Sequence, residues 1–152
     1  VRFCVHIQDS VAKLCPKDRQ NQYNGIKDDA NRGLYCQKLP EYPPGMTLED
    51  YTYDVCGKCI KDKRNKYSQS RYFWLNSHSW FYRSTCEIRI HSGTVNSRKV
   101  LNWSELWLKF FDYTKTVKFD KNMSNQIMNY FDVSGIRKDT KKFYFDRIRE
   151  FS

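Results

Sequence analysis

Three histidines, His6, His78 and His91, are where acid–base chemistry would begin in this chain. His78 stands between Ser77 and Ser79, and an imidazole beside a hydroxyl suggests nucleophilic work. No G-x-S-x-G turn accompanies it, and Asn76-Ser77-His78-Ser79 reads more simply as a break that caps a following helix through Ser77 or Ser79. His6 falls on a helix face beside Asp9 and Ser10, while His91 sits in a loop next to Gly93. A basic ribonuclease would need two histidines and a lysine to converge, which the three histidines permit only on paper. The adjacent pairs Asp28-Asp29 and Glu49-Asp50 point in different directions from a helix and suit caps better than the opposed carboxylates of a glycosidase. No glycine-rich phosphate loop is present. These residues predict no enzyme, no catalytic residue and no cofactor.

The six cysteines offer two chemistries. Cys56-Gly57-Lys58-Cys59 is a CxxC and Cys4-Val5-His6 adds an imidazole, but no second CxxC or histidine pair follows at zinc-module spacing. A redox CxxC would need a βαβ context, which is absent from the pattern. An even number at wide spacings fits a disulfide framework made in an oxidising compartment. No metal is expected. The sequons at Asn102 and Asn122 are compatible with secretion, but both asparagines also stand where helices would start.

Two surfaces could bind a partner. Arg71, Tyr72, Phe73, Trp74 and Trp80, Phe81, Tyr82, Arg83 place six aromatics and two flanking arginines in a short span, the composition of an interface hot spot. The simpler account is core packing. The basic cluster from Ile136 to Lys142 reads as a solvated helix start. The net charge of +10 is evenly spread, with 14 basic and 9 acidic residues up to Cys86 and 13 and 8 beyond it. A basic surface attracts acidic partners generally: protein, nucleic acid or anionic membrane. No apolar run is long enough to span a bilayer, and the opening Val1-Arg2-Phe3-Cys4 reads as folded-domain sequence, so the chain is taken as a mature one without signal peptide.

The elements that must carry these residues are organised by a repeat. Cys15-Pro16-Lys17-Asp18-Arg19-Gln20-Asn21-Gln22-Tyr23 recurs as Cys59-Ile60-Lys61-Asp62-Lys63-Arg64-Asn65-Lys66-Tyr67, and each copy is followed by another cysteine, Cys36 or Cys86. A shift of 44 residues also superposes the preceding apolar stripes, Cys4, Ile7, Val11, Cys15 on Leu48, Tyr51, Val55, Cys59. Helices are expected from Phe3 to Cys15, stopped by Pro16, and from Thr47, whose Asp50 stands at the capping-box position. Residues 39–46, with three prolines and a glycine, connect the units. Cys86-Glu87-Ile88-Arg89-Ile90 alternates like a strand, yet a helix end is preferred by analogy with its neighbours. Beyond residue 100, helices are predicted from Asn102 with Glu105 three residues on, around Met123 to Phe131 with Gly135 near C′, and from Asp139.

The expected fold class is all-α: one domain, 1–152, as a disulfide-stapled array of two related helical units, 3–36 and 47–86, plus a cysteine-free helical tail over 100–152. Six cysteines allow fifteen pairings. Internal symmetry selects Cys15–Cys36 and Cys59–Cys86, with the unmatched Cys4 and Cys56 joining the units. Each loop of about 20 residues would contribute roughly 3 kcal/mol. Tyr23 and Tyr67 are expected to pack beneath these loops.

Paired C…Y…C units in a small cysteine-bearing chain resemble the bicycle proteins of aphid saliva. The matching positions are Cys15, Tyr23, Cys36, Cys59, Tyr67 and Cys86, within residues 4–86. The resemblance implies a secreted salivary effector delivered into plant tissue, linked to galls, that acts by non-catalytic binding to a host protein. The alternatives are a saposin-like binder of anionic lipid, against which the cysteine positions argue, and a secreted ribonuclease or other hydrolase.

Overall fold

The structure, a computed structural model, describes residues 1–25, 36–57 and 68–151. It forms two compact units, Val1–Val5 with Lys17–His91, and His6–Pro16 with Ser92–Ser152. Helix α1 (Arg2–Ala12) therefore gives its first residues to one unit and the remainder to the other. It ends at Ala12, three residues short of the expected Cys15, its last turn tightening through Leu14 N to Val11 O and Cys15 N to Ala12 O, and the first motif copy continues as the short helix α2 (Lys17–Tyr23), with Tyr23 buried. The second copy, with Cys59 and Tyr67, lies outside the described residues, as does Asp28-Asp29.

In the first unit Thr47 caps α3 (Leu48–Asp50), its hydroxyl oxygen accepting from Asp50 N at 3.1 Å, which is the capping position the sequence indicates. Helical winding then widens into a π-turn over Tyr51–Val55, closed by Cys56 N donating to Tyr51 O at 3.0 Å. Tyr51, Thr52 and Tyr53 are all fully buried along it. The Tyr51 hydroxyl donates to Pro40 O (2.7 Å) and its ring stacks on Tyr42 (4.4 Å). A 3-10 turn, Gln69–Tyr72, leads to strand β1 (Leu75–Asn76), helix α4 (His78–Arg83) and strand β2 (Glu87–Ile88). The two strands pair antiparallel, Leu75 with Ile88 and Asn76 with Glu87. Gln37 bridges to Phe73 on the outer side, with Trp74 N donating to Gln37 O (3.0 Å) and Arg89 N to Trp74 O (2.7 Å). Trp74 and Ile90 are buried by this ladder.

The all-α expectation is thus corrected. The alternation from Cys86 to Ile90 marks a strand, because the period-2 pattern found a partner in Leu75-Asn76 across α4. The stapling is corrected as well: among the described residues the cysteines form no disulfide. Cys4, Cys36 and Cys56 are buried thiols, and Cys86 is an exposed one. Two buried thiols donate to backbone carbonyls. Cys36 donates to Arg89 O at 3.0 Å and Cys15 to Val11 O at 3.9 Å. Burial pushes the Cys56 thiol up to about 12, although a hydrogen bond with Tyr51 opposes the rise.

In the second unit α5 (Ser97–Thr116) starts earlier than Asn102. Asn96 is the N-cap, accepting from Lys99 N at 3.1 Å, and Asn102 is buried within the helix. Leu106, Trp107 and Phe110 form its buried stripe. The expected helix around Met123–Phe131 shrinks to a 3-10 turn, Ile127–Tyr130, whose Ile127 N donates to Ser10 Oγ at 2.8 Å. Gly135 takes φ +71°, the left-handed turn that leads to α6 (Lys138–Phe151). Thr140 and Arg137 tie α6 back to Asn102 and Glu105 of α5.

Candidate functional site

Beside α4 in the first unit lies a cavity of about 340 Å³, lined by Arg71, Asn76, His78, Ser79, Tyr82, Arg83, Glu87 and Arg89. Its shape follows from the β1–α4–β2 connection. The strand pair sets Asn76 opposite Glu87, and α4, filling the space between, turns His78, Ser79, Tyr82 and Arg83 toward the same cavity. The spacings 78–82 and 79–83 are i, i+4, so each pair shares one helix face. The helix ends at Ser84, which adopts φ +56° and donates its N–H to Trp80 O at 3.0 Å, turning the chain back toward β2. A non-glycine residue in the left-handed region is strained, and here the strain lies one residue beyond Arg83, which lines the cavity.

The π-turn holds the base of α4. Thr52 donates to Ser77 Oγ (2.9 Å), and the Tyr53 hydroxyl lies 3.0 Å from His78 Nδ1, with all four residues buried. Ser77 is the N-cap of α4 as the sequence suggests, but its side chain makes no cap bond; it is occupied by Thr52. The imidazole is sandwiched, edge-on to Tyr53 and stacked at 5.9 Å on Tyr82. With a proton on Nδ1 the bond runs to the Tyr53 oxygen and Nε2 holds a lone pair; with the proton on the hydroxyl, Nε2 carries N–H.

The charges are arranged around one carboxylate. Glu87 accepts from Asn76 Nδ2 at 2.8 Å and lies 3.8 Å from Arg89 Nε. Asn76 Nδ2 also donates to Ser79 Oγ at 2.9 Å. Arg89 Nη1 donates to Arg71 O at 2.6 Å, fixing the 3-10 turn to the segment after β2. Cys36 secures the Arg89 backbone; burial raises its thiol, against the opposing effect of Arg19 at 3.6 Å. Arg83 stacks over Tyr82 and Arg71 over Tyr72.

The expected aromatic interface is therefore divided. Trp74 is fully buried core; Tyr72, Phe73 and Phe81 are half-buried; Trp80 is exposed. Arg71, Tyr82 and Arg83 enter the cavity. Of the histidines, His78 lines the cavity, while His6 lies 2.7 Å from Met123 O through Nε2 and edge-on to Phe119. Asn76, Glu87 and Arg89 were not singled out from the sequence. The signal that could have found two of them is the Cys86–Ile90 alternation, which puts positions 87 and 89 on one face of a strand. Among the described residues no three His, Cys, Asp or Glu side chains converge as metal ligands. In the basic segment, Arg137 is bonded to Glu105 and Lys141 pairs with Asp132.

A second cavity of about 370 Å³ lies in the other unit, against Ser97, Arg98, Leu101, Asn102, Arg137 and Asp139.

Searches of curated proteins and of solved structures gave no match. A family model described as "Putative amidoligase enzyme" matches residues 2–111, nearly three quarters of the chain. The match points to an enzyme, which overturns the expectation of a non-catalytic chain. With it go the secreted effector that alters host development, its lipid-binding and hydrolase alternatives, and the attributes of saliva, gall and disulfide bonding. Every residue lining the cavity beside α4 falls inside the matched span, whereas the second cavity draws on Arg137 and Asp139 beyond it. The chain belongs to the amidoligase family.

Proposed function

We propose that this chain is an amide-forming enzyme domain and that its substrates meet in the cavity beside α4. One observation carries the reading: within the family-matched residues, a single cavity collects three arginines, a buried imidazole and a carboxylate. An amidoligase must hold an anionic acid, activate it and receive an amine. Guanidinium groups pair with carboxylate and with phosphate in the same forked geometry, so Arg71 and Arg83 suit the acid before and after activation. Condensation of free acid and amine runs uphill in water, so one carboxylate oxygen must leave attached to an activating group. Phosphoryl transfer from a nucleoside triphosphate supplies such a group, leaving a diphosphate; attack by the amine then forms the C–N bond and releases phosphate. The amine attacks only after losing a proton. His78 lines the cavity and would supply the imidazole that accepts it, its Nδ1 lying 3.0 Å from the Tyr53 oxygen. For a divalent ion, the described residues provide no cluster of three ligands, and they account for acid binding and proton transfer.

The test uses hydroxylamine as a general amine, with a nucleoside triphosphate and a pool of carboxylic acids, and measures hydroxamate and released phosphate. Wild-type protein is expected to form hydroxamate. Arg83→Gln should raise KM for the acid at least about tenfold, and His78→Gln should lower kcat about 100-fold. Absence of hydroxamate across the pool would overturn the proposal.

A further inference from the structure

We infer that the outer face of α5 pairs antiparallel with α5 of a second copy of this chain. The inference is independent of the cavity beside α4 and starts from a helix that is apolar where it meets water. Leu106, Trp107 and Phe110 are buried on one side of α5, as an amphipathic helix requires, so the other side should be polar. Instead Leu101 and Leu108 stand there, 62% and 66% exposed, with Val100 beside them at 46%. Leu101 and Leu108 are seven residues apart and fall within about 20° of one line along the helix. Exposed Ser104 lies between them, and half-buried Phe111 continues the apolar edge. This is the seam of a helix pair: the leucines fill holes in the facing helix, and the small serine lets the two axes approach to about 8–10 Å.

The charges select the occupant and its direction. At 3.6 residues per turn, Arg98 and Asp112 stand on the same flank of the seam, one near each end. Arg98 lies 5.6 Å from the Phe143 ring and makes no ion pair among the described residues. Asp112 bonds Lys115 of its own helix at 2.9 Å, yet its side chain is still 70% exposed. A parallel pair would set Arg98 on Arg98 and Asp112 on Asp112. An antiparallel pair with Leu101 on the second copy's Leu108 brings Ser104 to the two-fold axis. Residues of one flank then meet residues of the same flank, so Arg98 comes beside the second copy's Asp112, and the contact forms twice. Asp112 also faces the N-terminus of the second copy's α5, where the helix dipole favours a carboxylate. On the opposite flank Val100 comes beside the second copy's Phe111. Lys115 falls opposite Thr94, past the second copy's α5. One surface thus carries both halves of its own complement, which is what a contact between identical copies requires.

The test is sedimentation equilibrium of the full chain in about 0.15 M salt, where repulsion between two copies of charge +10 is screened beyond about 8 Å. Between about 1 μM and 1 mM, the range open to a small interface, the mass should rise from one chain to two and stop there. Leu108→Glu should raise the dimer Kd at least about tenfold. Arg98→Asp and Asp112→Arg should each raise it about fivefold, since every substitution acts twice across the axis. The double variant Arg98→Asp/Asp112→Arg should return to within about twofold of wild type. That recovery belongs to the antiparallel pairing; a parallel pair or a merely sticky face would show none. All three positions are exposed, and unchanged far-ultraviolet dichroism would establish that each variant folds. The mass of one chain at every concentration would assign the face to a different partner and overturn the inference. So would growth beyond two chains, a Leu108→Glu dimer as tight as wild type, or a double variant as weak as the single ones.

Discussion

Glu105 shows how much one side chain can be asked to hold. Burial by itself would raise its carboxyl, but hydrogen bonds from Arg137 and Thr140, the Arg137 backbone N–H and the Arg137 charge together hold it down at about 2. The ordinary value is 4.5. A depressed folded value means that the stabilisation is complete above the unfolded pKa and is lost as pH falls toward the folded one. The unfolding free energy should therefore fall between about pH 4.5 and pH 2, by about 2 kcal/mol once screening at exposed Arg137 is discounted. Urea titrations across this range should show the slope in wild type and a shallower one in Glu105→Gln; equal slopes would remove Glu105 as its source. The sequence placed Glu105 in the first turn of a helix as a cap. Its partners on the next helix were illegible, since a carboxylate three residues after an asparagine reads the same whether it meets a backbone N–H or an arginine 32 residues away. The same holds at the cavity. Arg71, Arg83 and His78 were singled out for their types, yet only the fold reveals that they converge with Asn76 and Glu87.

Among the elements, long helices were the most readable. The stripes of α5 and α6 repeat over several turns, so a start misplaced by five residues, Asn102 for Ser97, still leaves α5 standing. Strands β1 and β2, of two residues each, have no room for a period and exist because they find each other. The π-turn was invisible for another reason: Tyr51 and Val55, four apart, fit an ordinary helix equally well. Its wider winding brings Gly57 against Thr52. A Cβ at Gly57 would stand 2.8 Å from Thr52 O and 3.0 Å from Tyr53 Cα, both backbone atoms that cannot swing aside. Gly57→Ala should destabilise the chain by roughly 2 kcal/mol, lowering the urea midpoint, and should shift the imidazole resonances of His78, whose partner Tyr53 is on the displaced turn. An unchanged midpoint would show that the turn yields freely.

For the molecule as a whole, the cysteine count misled because evenness and symmetry are properties of the chain, whereas a disulfide requires two sulfurs in register. The reduced state has a direct consequence. Dithiothreitol should leave the unfolding midpoint unchanged, and under native conditions a thiol reagent should label exposed Cys86 ahead of buried Cys4, Cys36 and Cys56. A loss of about 3 kcal/mol on reduction would restore the cross-links. The span recognised by the family model ends at Phe111, five residues before α5 does. A gene fragment trimmed to that boundary would encode the entire cavity beside α4 but sever α5 in its final turns. It would also delete Arg137 and Thr140, the anchors of Glu105 and Asn102, leaving a buried amide and a carboxylate without their donors. Expression of the family-matched piece alone would thus be limited by solubility, and any minimal version should retain the chain through Phe151.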